Sequence, residues 1–168
     1  EKEPNKVSGD YHWTDTAEKA SAEGAYTYGY GAKGEQPVPV VHSRRLTFLR
    51  RTDQLEVEDE FKGDGREHRF DVLWQAHPHA KVAVEKKAVV IVTEHARTRF
   101  EFESASPFAI TTEVAMRNPY SGWYSETLGD LQPSITIRVS LRGTGAQLKT
   151  TIKIADERSG LVSIAGSL

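Results

Sequence analysis

The sequence predicts an all-β protein, an antiparallel β-sandwich of two packed sheets with little or no helix. Three observations predict it. Apolar residues recur at every second position, the period of a strand with one buried face. Turn-forming residues break these runs at short intervals, as in sandwiches. No window of helical length carries the i, i+3, i+4, i+7 apolar pattern of an amphipathic helix.

The strands follow in chain order. Tyr26, Tyr28 and Tyr30 stand at strand spacing, and they outweigh the Ala/Glu/Lys-rich stretch from Asp15 to Glu23, where a short helix competes. Leu46 and Phe48 continue a second run. Leu55, Val57 and Phe61 alternate with Glu56, Glu58 and Glu60, and Phe70, Val72 and Trp74 alternate with Asp71, Leu73 and Gln75. Ile135, Ile137, Val139 and Leu141 form another buried face, and Leu148, Ile152 and Ile154 a further one opposed to Lys149, Thr151 and Lys153. Lys62-Gly63-Asp64-Gly65 reads as a hairpin connection, since glycine and aspartate tolerate positive φ. The stretch from Pro107 to Pro133 is rich in aromatics and glycine and is expected to hold a long loop.

A chain of 168 residues is long enough to bury one core, and residues 1–168 are expected to form a single sandwich domain. The 22 basic and 24 acidic side chains leave a formal net charge of -2, which gives no general attraction to nucleic acid or to an anionic membrane. Cysteine is absent, so disulfides, thiolate metal sites and cysteine nucleophiles are excluded. The longest apolar run, Ala88-Val89-Val90-Ile91-Val92, is far shorter than a membrane-spanning segment. Glu1-Lys2-Glu3-Pro4 carries neither an initiator Met nor an apolar leader, so the chain reads as a mature fragment or a piece of a longer protein.

The chemistry-bearing residues are scattered. His77 and His79 share a strand parity and can reach one ion, but Pro78 ends the strand and no third ligand stands nearby, so surface histidines at a turn are favoured. Asp59 has the parity of Val57 and Phe61, and an inward carboxylate needs a partner. Arg44, Arg45 and Arg69 are the candidates, with Arg45 preferred. In Gly122-Trp123-Tyr124-Ser125 the aromatics are the ones least explained by packing, and Arg117 precedes them. No phosphate loop, nucleophile elbow, zinc-protease motif or dinucleotide fingerprint is present, and no cofactor is implied.

Several stretches stand in an order similar to one family. They are Trp13, Gly24-x-Tyr26, His42-Ser43-Arg44-Arg45-Leu46-Thr47-Phe48, Leu55 to Phe61, Leu73-Trp74-Gln75-Ala76-His77-Pro78, and Gly122-Trp123-Tyr124-Ser125 followed by Gly129 and Pro133. Together they resemble the C-terminal β-sheet region of heparinase II/III-like polysaccharide lyases. The resemblance implies a bacterial periplasmic or secreted protein and a partner, the N-terminal α/α toroid domain. It further implies cleavage of uronic-acid polysaccharides by β-elimination in the parent enzyme. That family opens its β-region with His-x-His-x-Asp, followed by His-Asn-Thr, and neither pattern occurs here. No catalytic or metal-binding residue is therefore carried over. Only Arg45, Asp59, Trp74 and Trp123 match, as framework positions. The chain alone is expected to be inactive, acting as scaffold and as a possible wall of the cleft for an acidic polysaccharide. Sugar contact, if any, falls to Trp123, Tyr124 and Arg117. The alternative is a free-standing carbohydrate-binding module.

Overall fold

The computed structural model describes residues 11–31 and 36–156. All regular structure in this range is β, arranged as a sandwich. Strands β1 (His12–Asp15), β2 (Lys19–Tyr26), β3 (Val41–Leu49), β4 (Gln54–Lys62), β15 (Gly145–Asp156), β8 (Ala96–Glu103), β7 (Ala88–Val92) and β6 (Lys81–Val84) lie side by side in that order as one eight-stranded antiparallel sheet. Strands β5 (His68–Gln75), β14 (Ile135–Gly143) and β9 (Phe108–Val114) form a three-stranded sheet over part of it. The stretch from Asp15 to Glu23 is not helix: a turn at 16–18 joins the end of β1 to β2.

The alternation read from the sequence fixes the two faces. On β4, Val57, Asp59 and Phe61 are buried, while Glu58 is exposed. Val57, Phe61, Phe102, Leu148 and Ile152 from the large sheet meet Phe70, Val72, Ile137, Val139 and Leu141 from the small one. Trp74 packs edge-on against Phe100 with ring centroids 5.2 Å apart. The outer face of the large sheet is ionic. Strand register aligns Glu23, Arg45, Glu58, Lys149 and Glu103 in one row across β2, β3, β4, β15 and β8, with charge sign alternating at every step.

Lys62 to Gly65 does not close a hairpin. It carries the chain from the large sheet into the small one, because β4 pairs with β3 and β15 and β5 pairs with β14. The region from Pro107 to Pro133 is more ordered than a long loop. It contains β9 and two short ladders, β10 (Met116–Arg117) with β11 (Tyr120–Ser121), and β12 (Trp123–Tyr124) with β13 (Gln132–Pro133). Gly122 organises the segment. Its carbonyl accepts from the amides of Ala115 and Ser134 at 3.0 and 2.9 Å. Its φ of 74° and the backbone atoms 2.6–2.7 Å from where a Cβ would stand exclude any other residue without distortion.

The two layers do not match in width. One row of inner-face residues runs Trp13, Ala22, Leu46, Val57, Thr150 and Phe102 across β1, β2, β3, β4, β15 and β8. Along it, exposure falls from 68% at Trp13 through 39% at Leu46 to 0% at Val57 and Thr150 and 1% at Phe102. Among the described residues, the small sheet thus ends near β4 and leaves the inner face of β1–β3 uncovered. Leucine truncations should report this boundary. We expect Leu148→Ala to cost about 2–5 kcal/mol and Leu46→Ala about 1 kcal/mol or less, read from urea unfolding midpoints at constant slope.

Candidate functional site

At the margin of the covered region a polar cluster interrupts the apolar inner face. The Asp59 side chain is fully buried (0% exposed). It accepts a hydrogen bond from His42 Nε2 at 2.6 Å, and from Arg44 through Nε at 2.7 Å and Nη2 at 3.1 Å. Burial raises the pKa of such a carboxyl. Here the donors from His42 and Arg44 more than offset that, and the group is held below the ordinary aspartate value. The other imidazole nitrogen, Nδ1, lies 2.9 Å from the Tyr30 hydroxyl. Burial, and then the neighbouring Tyr26, push the Tyr30 phenol up. The result is a chain of hydrogen bonds from the exposed Tyr30 through His42 to a buried carboxylate.

Local structure positions each member. Register places Arg44 directly opposite Asp59 and His42 opposite Phe61, so all four project from the inner face of β3 and β4. The His42 ring stacks on Phe61 at 4.3 Å, and Phe61 stacks on Phe70 at 5.0 Å. Tyr30 is delivered by a bridge to Val38, with backbone N···O distances of 3.0 and 2.6 Å. The Arg44 guanidinium also lies 5.7 Å from the Trp74 ring centroid, a cation–π contact.

Arg45 does not pair with Asp59. It stands opposite Glu58 on the outer face, where it bonds Glu23 at 2.9 Å and Glu58 at 3.4 Å. The reason is parity: Arg44 shares the inward parity of Leu46 and Phe48, and Arg45 is one residue out of step. Sequence reasoning missed His42 as a partner altogether. The signal was present in the spacing His42-x-Arg44, two polar residues of one parity leading into Leu46 and Phe48.

A cavity of about 480 Å³ opens beside the cluster, lined by Tyr30, Val40, His42 and Arg44 on one side and by Arg69, Phe70, Asp71, Val72 and Leu73 of β5 on the other. Among the described residues β5 pairs only with β14, so the cavity wraps around a free strand edge. Asp71 is held below the ordinary aspartate value, because donors from Ser140, Arg69 and Arg138 outweigh its burial. Among the described residues no group of three or more His, Cys, Asp or Glu is placed to hold a metal ion.

The family model described as Heparinase II/III-like, C-terminal, matches residues 3–155. The chain belongs to this family. No curated protein matches the sequence. Within this heparinase II/III-like domain, Trp123 and Tyr124 are half-buried on β12. Trp123 donates through Nε1 to the Met116 carbonyl at 2.8 Å and stacks on Tyr120 at 5.9 Å. Tyr120 is the more accessible aromatic, 64% exposed, and Arg117 is exposed beside it as its cross-strand partner. Tyr124 lies 5.5 Å from His77, whose ring is 5.4 Å from His79. Trp123, Tyr124 and Arg117 thus lie together around Tyr120, and none of the three lines the cavity beside Asp59.

The buried pair carries a stability prediction. Asp59→Ala should cost about 3–5 kcal/mol by stranding Arg44 and His42, whereas Arg45→Gln should stay within about 0.5 kcal/mol of the parent. Because the folded Asp59 value lies below the unfolded one, its contribution is complete above about pH 4 and is lost as pH falls through the folded value. Urea midpoints measured from pH 6 downward should show this acid loss in the parent and a shallower one in Asp59→Asn.

Proposed function

We propose that this chain is the non-catalytic β-sandwich portion of a heparinase II/III-type polysaccharide lyase, serving as scaffold and as one wall of the glycan cleft. The parent enzyme would cleave uronic-acid polysaccharide by β-elimination, in a periplasmic or secreted setting. The observation that carries the reading is the uncovered inner face of β1–β3. Trp13, Leu46 and Phe48 leave a continuous apolar strip exposed beside an otherwise closed core. Contiguous apolar surface of this kind marks an interaction site. Its occupant in this reading is the N-terminal helical domain that a C-terminal family domain implies.

Elimination needs a group to neutralise the uronate carboxylate, a base for the C5 proton and an acid for the leaving oxygen. The residues that could serve fall into two separate groups here, and one of them, Tyr30 and His42 with Arg44, lines the cavity beside β5. His77 and His79 are near Tyr124, and His42 is committed to Asp59. The carbohydrate-module alternative is favoured by one feature, the exposed Tyr120 stacked on Trp123.

Two measurements test the reading. The chain alone should generate no 4,5-unsaturated uronate from heparin, heparan sulfate or alginate, followed by its ultraviolet absorbance; product formation by the purified chain would overturn the non-catalytic assignment. Mixed with the separately produced N-terminal portion of the parent lyase, the chain should form a complex in size-exclusion chromatography. Replacing both Leu46 and Phe48 by Glu should abolish it, since burying two unpaired charges is prohibitive.

A further inference from the structure

The cavity along the free edge of β5 has a hydrogen-bonding inventory that selects a ligand class. Its two carboxylates are largely engaged. Asp59 accepts from His42 and twice from Arg44. Asp71 accepts from Ser140, twice from Arg69, and from Arg138. The arginines are not saturated. Arg44 and Arg69 each use Nε and Nη2, and Nη1 of each has no partner among the described residues. A guanidinium carries five donors and no acceptor. What remains on offer is therefore mostly donors, so the cavity suits a ligand rich in acceptor oxygens.

Tyr30 adds one acceptor. In the tautomer that donates Nε2–H to Asp59, His42 Nδ1 accepts from the Tyr30 hydroxyl. The phenolic oxygen then remains available to accept. Leu73, half exposed, supplies an apolar wall, with the buried Val40, Phe70 and Val72 behind the cavity. A pocket of about 480 Å³ with an apolar wall and a few convergent polar groups has the size and make-up of a small-ligand site. The cavity does not end at β5. Leu73 lines it and also lines an adjoining depression walled by Gln75, Tyr120, Gly122, Trp123 and Thr136. A ligand longer than one ring thus has a path from the arginines to the Tyr120–Trp123 stack.

We propose that this groove binds an acidic oligosaccharide, with a hexuronate unit in the Arg44–Arg69 cavity and the neighbouring sugar against Tyr120. The uronate carboxylate takes the free Nη1 donors of Arg44 and Arg69, a ring hydroxyl donates to Tyr30, and the apolar face of the pyranose lies on Leu73. The site rests on the polysaccharide-lyase reading and names the surface that touches the glycan.

Calorimetric titration of the 168-residue chain decides it. The probes are unsulfated disaccharides containing galacturonate, mannuronate or glucuronate, their methyl esters, and cellobiose. At least one acidic disaccharide should bind, with its ester and cellobiose weaker by about tenfold, as for loss of a charge-assisted pair. Arg69→Gln and Tyr30→Phe should each weaken binding about tenfold, and Arg45→Gln, on the outer face, should leave it unchanged. Arg69 is 55% exposed, so its variant keeps the fold and decides the question even if Tyr30→Phe does not. Equal binding of acid and ester, or a loss with Arg45→Gln in place of Arg69→Gln, would overturn the site. So would the absence of any binding, and that result leaves the scaffold reading to the absorbance and complex-formation measurements.

Discussion

A three-stranded layer cannot roof an eight-stranded one, and most of what distinguishes this domain follows from that mismatch. At about 4.8 Å per strand, the small sheet spans roughly 14 Å against roughly 38 Å for the large sheet. The inner face of the covered strands is dry, and Val57, Thr150 and Phe102 lie in that interior. Beyond the edge of β5 the same face of the same sheet meets solvent or another body. The Asp59 cluster sits at this margin, where a carboxylate can be buried while its partners still reach outward.

A buried carboxylate without partners would be costly; with the bidentate Arg44 and with His42 it is tolerated rather than strongly favourable. Its larger effect is on specificity. Arg44 lies opposite Asp59 only in the observed register of β3 and β4, and a slip of one residue would turn Arg44 to the other face and bring Arg45 inward. The Arg44–Asp59 contact and the outer charge row therefore specify the same register from opposite sides of the sheet.

The period-two alternation made the fold class and the inward faces of β4, β5, β14 and β15 legible from sequence, because each of these strands has one dry and one wet face. The inward parity of Asp59 was legible for the same reason. Its partner was not, since choosing between Arg44 and Arg45 requires the β3 register, and adjacent arginines look alike in a sequence. The crossing at Lys62 to Gly65 was misread as a hairpin because turn residues report a reversal and not which sheet the next strand joins. The groove along β5 was invisible, because it is assembled from residues of β3, β5 and the Tyr30 bridge, far apart in the chain, and only the small sheet's narrowness brings its edge beside Arg44.

The alternating row of Glu23, Arg45, Glu58, Lys149 and Glu103 has a further consequence for how the domain meets its surroundings. Opposite charges at each step cancel within a few ångströms, so at physiological ionic strength little field extends beyond the side chains. To a long polyanion this flank is electrically silent: it neither draws the polymer in nor drives it off. The domain is in that sense one-sided, with unspent donors and bare apolar surface on the inner side and a self-neutralised back. A neighbour tethered to that back would leave the working side unobstructed.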